Sequence, residues 1–323
     1  MRAFVSYVAA AALFVTGISH ARADSYPNRP ITWVIPSGAG SASDANARVV
    51  AKVLGDKLGQ PILIDNRPGA GGIVAAEFVA QAKPDGYTML YATSGPVATF
   101  AAFYKKLSYQ PLQAFVPVHG FLDTSFVLVA NATKPYKTIE AFVDYLKKNP
   151  GKVNYASQGT ATTPHLSGEL FQMATDTRME HVPYKTAANF YADLLAGNVD
   201  VVFDYGASVK PYIETGKVRP IATTAATRLK NFPDVPTLKE RNIDMVFGGW
   251  SCIVMPAGTP PDVVNTMSAK FADAMRDPTV VQFLDANDYG TLTHLGPADL
   301  KAFIASEIER FKKLADKTGI SLD

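Results

Sequence analysis

Asn66-Arg67-Pro68-Gly69-Ala70-Gly71-Gly72 and, after an apolar stretch, Lys83-Pro84-Asp85-Gly86-Tyr87-Thr88-Met89 decide the fold of this chain. The glycine-rich loop opens an apolar helical segment over 73–82, the Pro-Asp-Gly turn stops it, and Tyr87 to Ala92 starts a new strand. Upstream, Ile31 to Ile35 reads as a buried strand closed by Pro36 and followed by a loop, Ser37 to Ser43. The spacing predicts a helix over 44–58, with Ala47, Val50, Ala51 and Leu54 on one face and Gly59 at its end, then a second strand over 62–64. Strand, helix, strand, helix, strand predicts an α/β fold with a mainly parallel sheet covered by helices.

The pattern changes near Phe121. Phe126 to Val129 reads as a strand leaving the first sheet, and a second α/β set follows, with strands over 153–156, 199–203 and 219–224, a strand or loop over 180–184, and helices over 138–148, 165–174 and 190–196. Gly249 to Val254 returns to the first sheet, and helices over 260–274, 279–287 and 297–317 close the chain. The expected organisation is two α/β domains joined by two crossing strands. Domain 1 is discontinuous (24–125 and 249–323), domain 2 spans 126–248, and a cleft lies between them, where ligand sites are favoured.

A formal net charge of +2 over 323 residues offers no basic patch for nucleic acid. Arg2, the apolar run Ala3 to Ile18 and Ala21-Arg22-Ala23 have the form of a signal peptide, 1–23, cleaved after Ala23. The competing reading, a membrane anchor, needs a run of ~20 apolar residues. Cleavage removes Arg2 and Arg22 and no acid, leaving a mature chain of zero formal charge. Export to the periplasm is therefore expected. The lone Cys252 has no internal partner and lies far from the cleavage site, so it is neither a disulfide nor a lipid anchor. The sequence has no H-E-x-x-H, no Cys/His cluster, no Walker loop and no G-x-S-x-G elbow. No metal, no cofactor and no catalytic residue is expected.

Four loops follow strands and can face a cleft. In the first, Ser37, Gly38, Ala39, Gly40, Ser41 and Ser43 precede a helix, where free N–H groups favour an anion; a plain βα turn is the competing reading. Gly38-x-Gly40-x-x-Ser43 also approaches a dinucleotide fingerprint, with Asp65 placed for a ribose, but the third glycine is missing. The second loop is Thr93-Ser94-Gly95, a ligand contact or an ordinary polar turn. The third runs from Ser157 through Thr160 and Thr162 to His165; its hydroxyls can hold a carboxylate or bridging waters, and His165 either donates to ligand or caps a helix. The fourth is Asp204-Tyr205, where Asp204 accepts from a ligand or caps a helix and Tyr205 stacks on a planar one. Arg67 is either a carboxylate clamp or structural, and the structural role is favoured.

The order of motifs along nearly the whole mature chain resembles the solute-binding receptors of tripartite tricarboxylate transporters, the Bug family. The residues that carry the likeness are Tyr26 to Ile31, Asn66 to Gly72, Pro84 to Thr88, Asn154 to Ser157, His165 to Phe171, Val182 to Lys185, Asp193 to Gly197, Pro233 to Thr237 and Pro256 to Pro260. The resemblance implies a periplasmic binding protein of type II-like, Venus-flytrap form that closes on a small mono- or dicarboxylate, aromatic acids included. It also implies a monomer that delivers its ligand to a membrane complex of one small and one large integral subunit. Carried over by position, the grip falls on Ser37 to Ser43, Thr93-Ser94, Ser157 to His165 and Asp204. One departure is local. The family loop often reads near Pro-Phe-Pro-Pro-Gly-Gly-Gly-Thr-Asp, whereas this chain has Pro36-Ser37-Gly38-Ala39-Gly40-Ser41-Ala42-Ser43-Asp44. Two other functions compete: a secreted hydrolase with Ser94 or Ser157 as nucleophile and His165 as base, and a ligand-sensing module for a membrane sensor.

Overall fold

The computed structural model describes residues 26–319 and 321, so the predicted signal segment lies outside the described residues. β1 (Ile31–Ile35), α1 (Ala42–Leu58), β2 (Ile62–Asn66), α2 (Ile73–Ala80) and β3 (Thr88–Thr93) follow in the expected order, and β1 pairs in parallel with both β2 and β3. Two short helices, α3 (Phe100–Phe103) and α4 (Pro111–Ala114), lead into β4 (Phe115–Asn131). The second set is α5 (Ile139–Lys148), β5 (Asn154–Ser157), α6 (Thr163–Thr175), β6 (Glu180–Pro183), α7 (Ala187–Ala196), β7 (Val201–Tyr205), α8 (Gly206–Glu214) and β8 (Val218–Thr223). β9 (Gly248–Pro256) then runs antiparallel between β3 and β4. The chain closes with α9 (Pro261–Met275), α10 (Pro278–Ala286), β10 (Gly290–Thr291) and α11 (Pro297–Thr318).

β4 is the element on which the architecture turns. Up to Ser125 it pairs with β9; from Phe126 it pairs with β7 and β8. All ten strands therefore belong to one hydrogen-bonded sheet, eight on a continuous path with β8 and β10 added at β4, and this 17-residue strand carries the sheet from one half to the other. The chain passes between the halves twice, within β4 and again between β8 and β9. Sequence pattern marks only the 126–129 part of β4 as a strand. Its first half carries Pro117 and Gly120 and pairs with register shifts around both, which breaks the regular alternation.

The core of the first half packs Trp33, Phe121 and Phe271 edge-to-face or tilted against one another, with ring centroids 5.3–6.0 Å apart. Phe142, Phe171 and Phe203 do the same work in the second half. The glycine motifs serve packing. Gly72 has φ 103°, and a Cβ there would lie 2.9 Å from Pro96 and 3.0 Å from Pro36. A Cβ on Gly86 would lie 2.3 Å from Val263. Arg67 pairs with Asp65 at 2.7 Å and lies 3.4 Å over the Phe78 ring.

Candidate functional site

The loop between β1 and α1 is held by a small network. Ser41 caps the helix by accepting the Asp44 N–H, and its hydroxyl meets Ser37 Oγ at 2.7 Å. Asp44, itself buried, accepts the Gly40 N–H and Arg48 Nε at 2.9 Å each and Asn66 Nδ2 at 3.0 Å. Asn66 also donates to the Ser37 carbonyl. Burial alone would raise the Asp44 pKa, but the bonds from Arg48, Gly40 and Asn66 overcome it and hold the carboxyl below its ordinary value. The opening motif residue Asn66 and the acid Asp44 therefore shape the loop. The Gly40 N–H, a donor expected to face a ligand, is committed to Asp44. Gly38, Ala39 and Gly40 are exposed.

Behind this loop, at the junction of the two halves, lies a narrow cavity of about 20 Å³, partly open to solvent. The start of α1 contributes Ala42, Ser43 and Asn46; β3 contributes Tyr91 and Thr93; β4 contributes Leu122 and Thr124. Tyr205, Trp250, Ser251 and Tyr289 complete the wall. Among the described residues, no lysine, arginine, histidine or carboxylate lines it. Its polar groups are hydroxyls, an amide and the first turn of a 17-residue helix. Burial raises the Tyr91, Tyr205 and Tyr289 phenols, so each stays neutral. Trp250 turns its indole N–H away, donating to Glu307 at 2.8 Å, and leaves ring surface for the cavity.

Of the candidate residues, Ser43, Thr93 and Tyr205 are brought together in this wall. Ser94 sits beside it and bonds across to the other half, Oγ to Thr163 Oγ1 at 3.0 Å, with both residues buried. The third loop turns inward on itself. Ser157 Oγ donates to the Gly159 carbonyl at 2.9 Å and meets His181 Nε2 at 2.7 Å. Thr162 donates to the same carbonyl, and Thr160 is half-buried. His165 Nδ1 accepts the Ala161 N–H at 3.0 Å, and its ring lies 3.9 Å from that of His181. The approach of Glu169 at 3.7 Å would favour a charged His165; burial opposes it, and an Nδ1 already accepting has no place for a second proton. Burial lowers its pKa to about 4, and burial plus the neighbouring His165 lowers that of His181 to about 3. Ser157 thus faces His181, while His165 is engaged elsewhere. Asp204 is buried behind Tyr205, accepting Tyr191 Oη–H at 2.7 Å and the Tyr205 N–H at 2.8 Å, and burial raises its pKa to about 6.

The wall residues missed in the sequence are Asn46, Tyr91, Leu122, Thr124, Trp250, Ser251 and Tyr289. Asn46 had a readable signal. It stands four residues before Val50 on the otherwise apolar face of α1, where a polar side chain asks for a reason.

A cavity at the seam of two α/β halves, walled by neutral donors and a helix start, defines a solute-binding protein. Among the described residues there is no metal-ligating cluster, and no helix is long and apolar enough to cross a membrane. The chain belongs to the tripartite tricarboxylate transporter receptor family, whose model matches residues 46–320. It is 33% identical over 302 residues to the protein BugT of Bordetella pertussis, covering 93% of this chain and 92% of that one. The solved periplasmic binding protein BugD superposes with a TM-score of 0.85 at 30% identity, over 92% of this chain and 99% of that one. The structure of Rpa4515 from R. palustris with adipate superposes with a TM-score of 0.86 at 30% identity, with the same coverage. The α/β architecture and the family expected from the sequence motifs are those found.

Proposed function

We propose that this protein is a periplasmic receptor that closes two domains, 24–125 with 249–323 and 126–248, around a small mono- or dicarboxylate. It then hands the ligand to a tripartite membrane transporter of one small and one large integral subunit. One observation carries the ligand class: the first turn of α1 and three tyrosines held neutral line a cavity that, among the described residues, has no charged side chain in its wall. Helix-start N–H groups and neutral O–H donors suit an anion and offer little to a cation. The adipate found with Rpa4515 supports the same class. Export by a signal peptide cleaved after Ala23 belongs to this proposal. The hydrolase reading has less support, because Ser157 is buried against His181 and Ser94 against Thr163.

A thermal-shift screen of small carboxylates, amines and sugars tests the reading. A specific acid raises the melting temperature in step with ln(1 + [L]/Kd). Shifts from an amine or sugar with none from any acid would refute it. Co-purification of the two membrane subunits with the loaded receptor tests delivery; capture of a sensor kinase instead would replace it.

A further inference from the structure

Asn46 singles itself out in the cavity wall. It is 2% exposed. Its side chain lies beside the Tyr91 and Tyr289 phenols, and its Oδ1 is left over. Among the described residues it is the one buried side-chain atom of the wall with no protein partner. A buried acceptor left unpaired is costly, so a donor at this point is favoured in a closed pocket. Plain carboxylates have none to give, since every polar atom of a dicarboxylate accepts.

We infer that Asn46 Oδ1 takes a hydrogen bond from a donor on the ligand's carbon chain, so that the receptor selects hydroxy- or amino-substituted carboxylic acids over their unsubstituted parents. The donor side of the pocket, the α1 start with Tyr91, holds the carboxylate, and Asn46 reads the substituent beside it. This rests on the carboxylate-receptor reading above and deepens it into a substrate class.

Calorimetric titration with three matched sets tests it: succinate, malate and aspartate; glutarate, 2-hydroxyglutarate and glutamate; phenylpropionate, phenyllactate and phenylalanine. In at least one set the wild-type protein is expected to bind a donor-bearing acid about tenfold or more tighter than the parent. Asn46→Leu is expected to erase that preference, chiefly by weakening the substituted acid. Asn46→Asp, which keeps an acceptor oxygen and adds charge, is expected to retain the preference and move it toward the amino acid. Melting curves of both unliganded variants establish that they fold, and Asn46→Asp carries the test if Asn46→Leu does not. Equal affinity for parent and substituted acids, or a preference untouched by Asn46→Leu, overturns the inference and leaves the carboxylate reading standing. No binding by any of these acids overturns both.

Discussion

At the scale of single residues, the buried histidine pair has a consequence for stability. His165 is 4% exposed and is held neutral, with its pKa lowered from the ordinary 6.5 to about 4. A folded value below the unfolded one means that the unfolded chain binds protons first. The neutral ring's contribution is therefore whole above about pH 6.5 and is lost as pH falls toward 4. At pH 4.5 the loss from this ring is roughly 2 kcal/mol. His181, lowered to about 3, adds to it over the same window. Asp204 works in the other direction: its raised value of about 6 means that its burial costs stability as pH rises from 3.8 through 6, so acidification relieves that cost. We expect His165→Asn, which keeps an acceptor for the Ala161 N–H, to lose about 2 kcal/mol less than wild type between pH 7 and pH 4.5, as measured by urea unfolding. Identical pH slopes in the two proteins would show that the ring is not held neutral.

At the scale of elements, β4 and β9 form the joint, and glycine decides how closely they meet. A Cβ built on Gly248 would lie 2.0 Å from the Thr124 carbonyl oxygen, a backbone atom with nowhere to go. Gly248→Ala should cost about 2–3 kcal/mol. Gly38→Ala, with no atom within 4 Å of its added carbon, should stay within about 0.5 kcal/mol, and paired denaturation curves give both numbers. The same joint explains what sequence reading could reach. The βαβ units were legible because Gly69 to Gly72, Pro84 to Gly86 and Gly59 mark turns by local sterics, and the cap at Thr138 accepts from Ala141 three residues on, as its spacing suggested. The loops that follow strands were legible for the same reason, and Ser43, Thr93 and Tyr205 came with them. The opposite wall was not, because Leu122, Thr124, Trp250 and Ser251 lie within strands whose meeting depends on long-range register. Helix α8 was missed because Pro211 sits inside it and Gly206 at its start, both poor helix formers. Asp204 could be placed at its strand tip, but its engagement by Tyr191 depends on how α7 packs against β7.

At the scale of the whole molecule, the halves touch directly at Ser94 and Thr163, beside the cavity. In the receptor reading this bond belongs to the closed form, so it biases the open–closed balance that ligand binding exploits. Ser94→Ala should weaken ligand binding by about 1 kcal/mol, roughly fivefold, while leaving the unliganded melting temperature nearly unchanged. Small-angle scattering should show wild type contracting at saturating ligand and the variant contracting to the same radius at higher ligand concentration. An unchanged affinity would place that bond in both forms. Cys252 offers an independent gauge of the molecule's integrity. It is the sole cysteine of the chain, lies fully buried in the middle of β9, and has a thiol pKa pushed far up by burial. A thiol so sealed is blind to alkylating reagents until β9 itself comes apart. Pulse alkylation of the unmodified protein therefore clocks rupture of the joint, without any engineered label, and a bound acid that braces the joint would lengthen that clock.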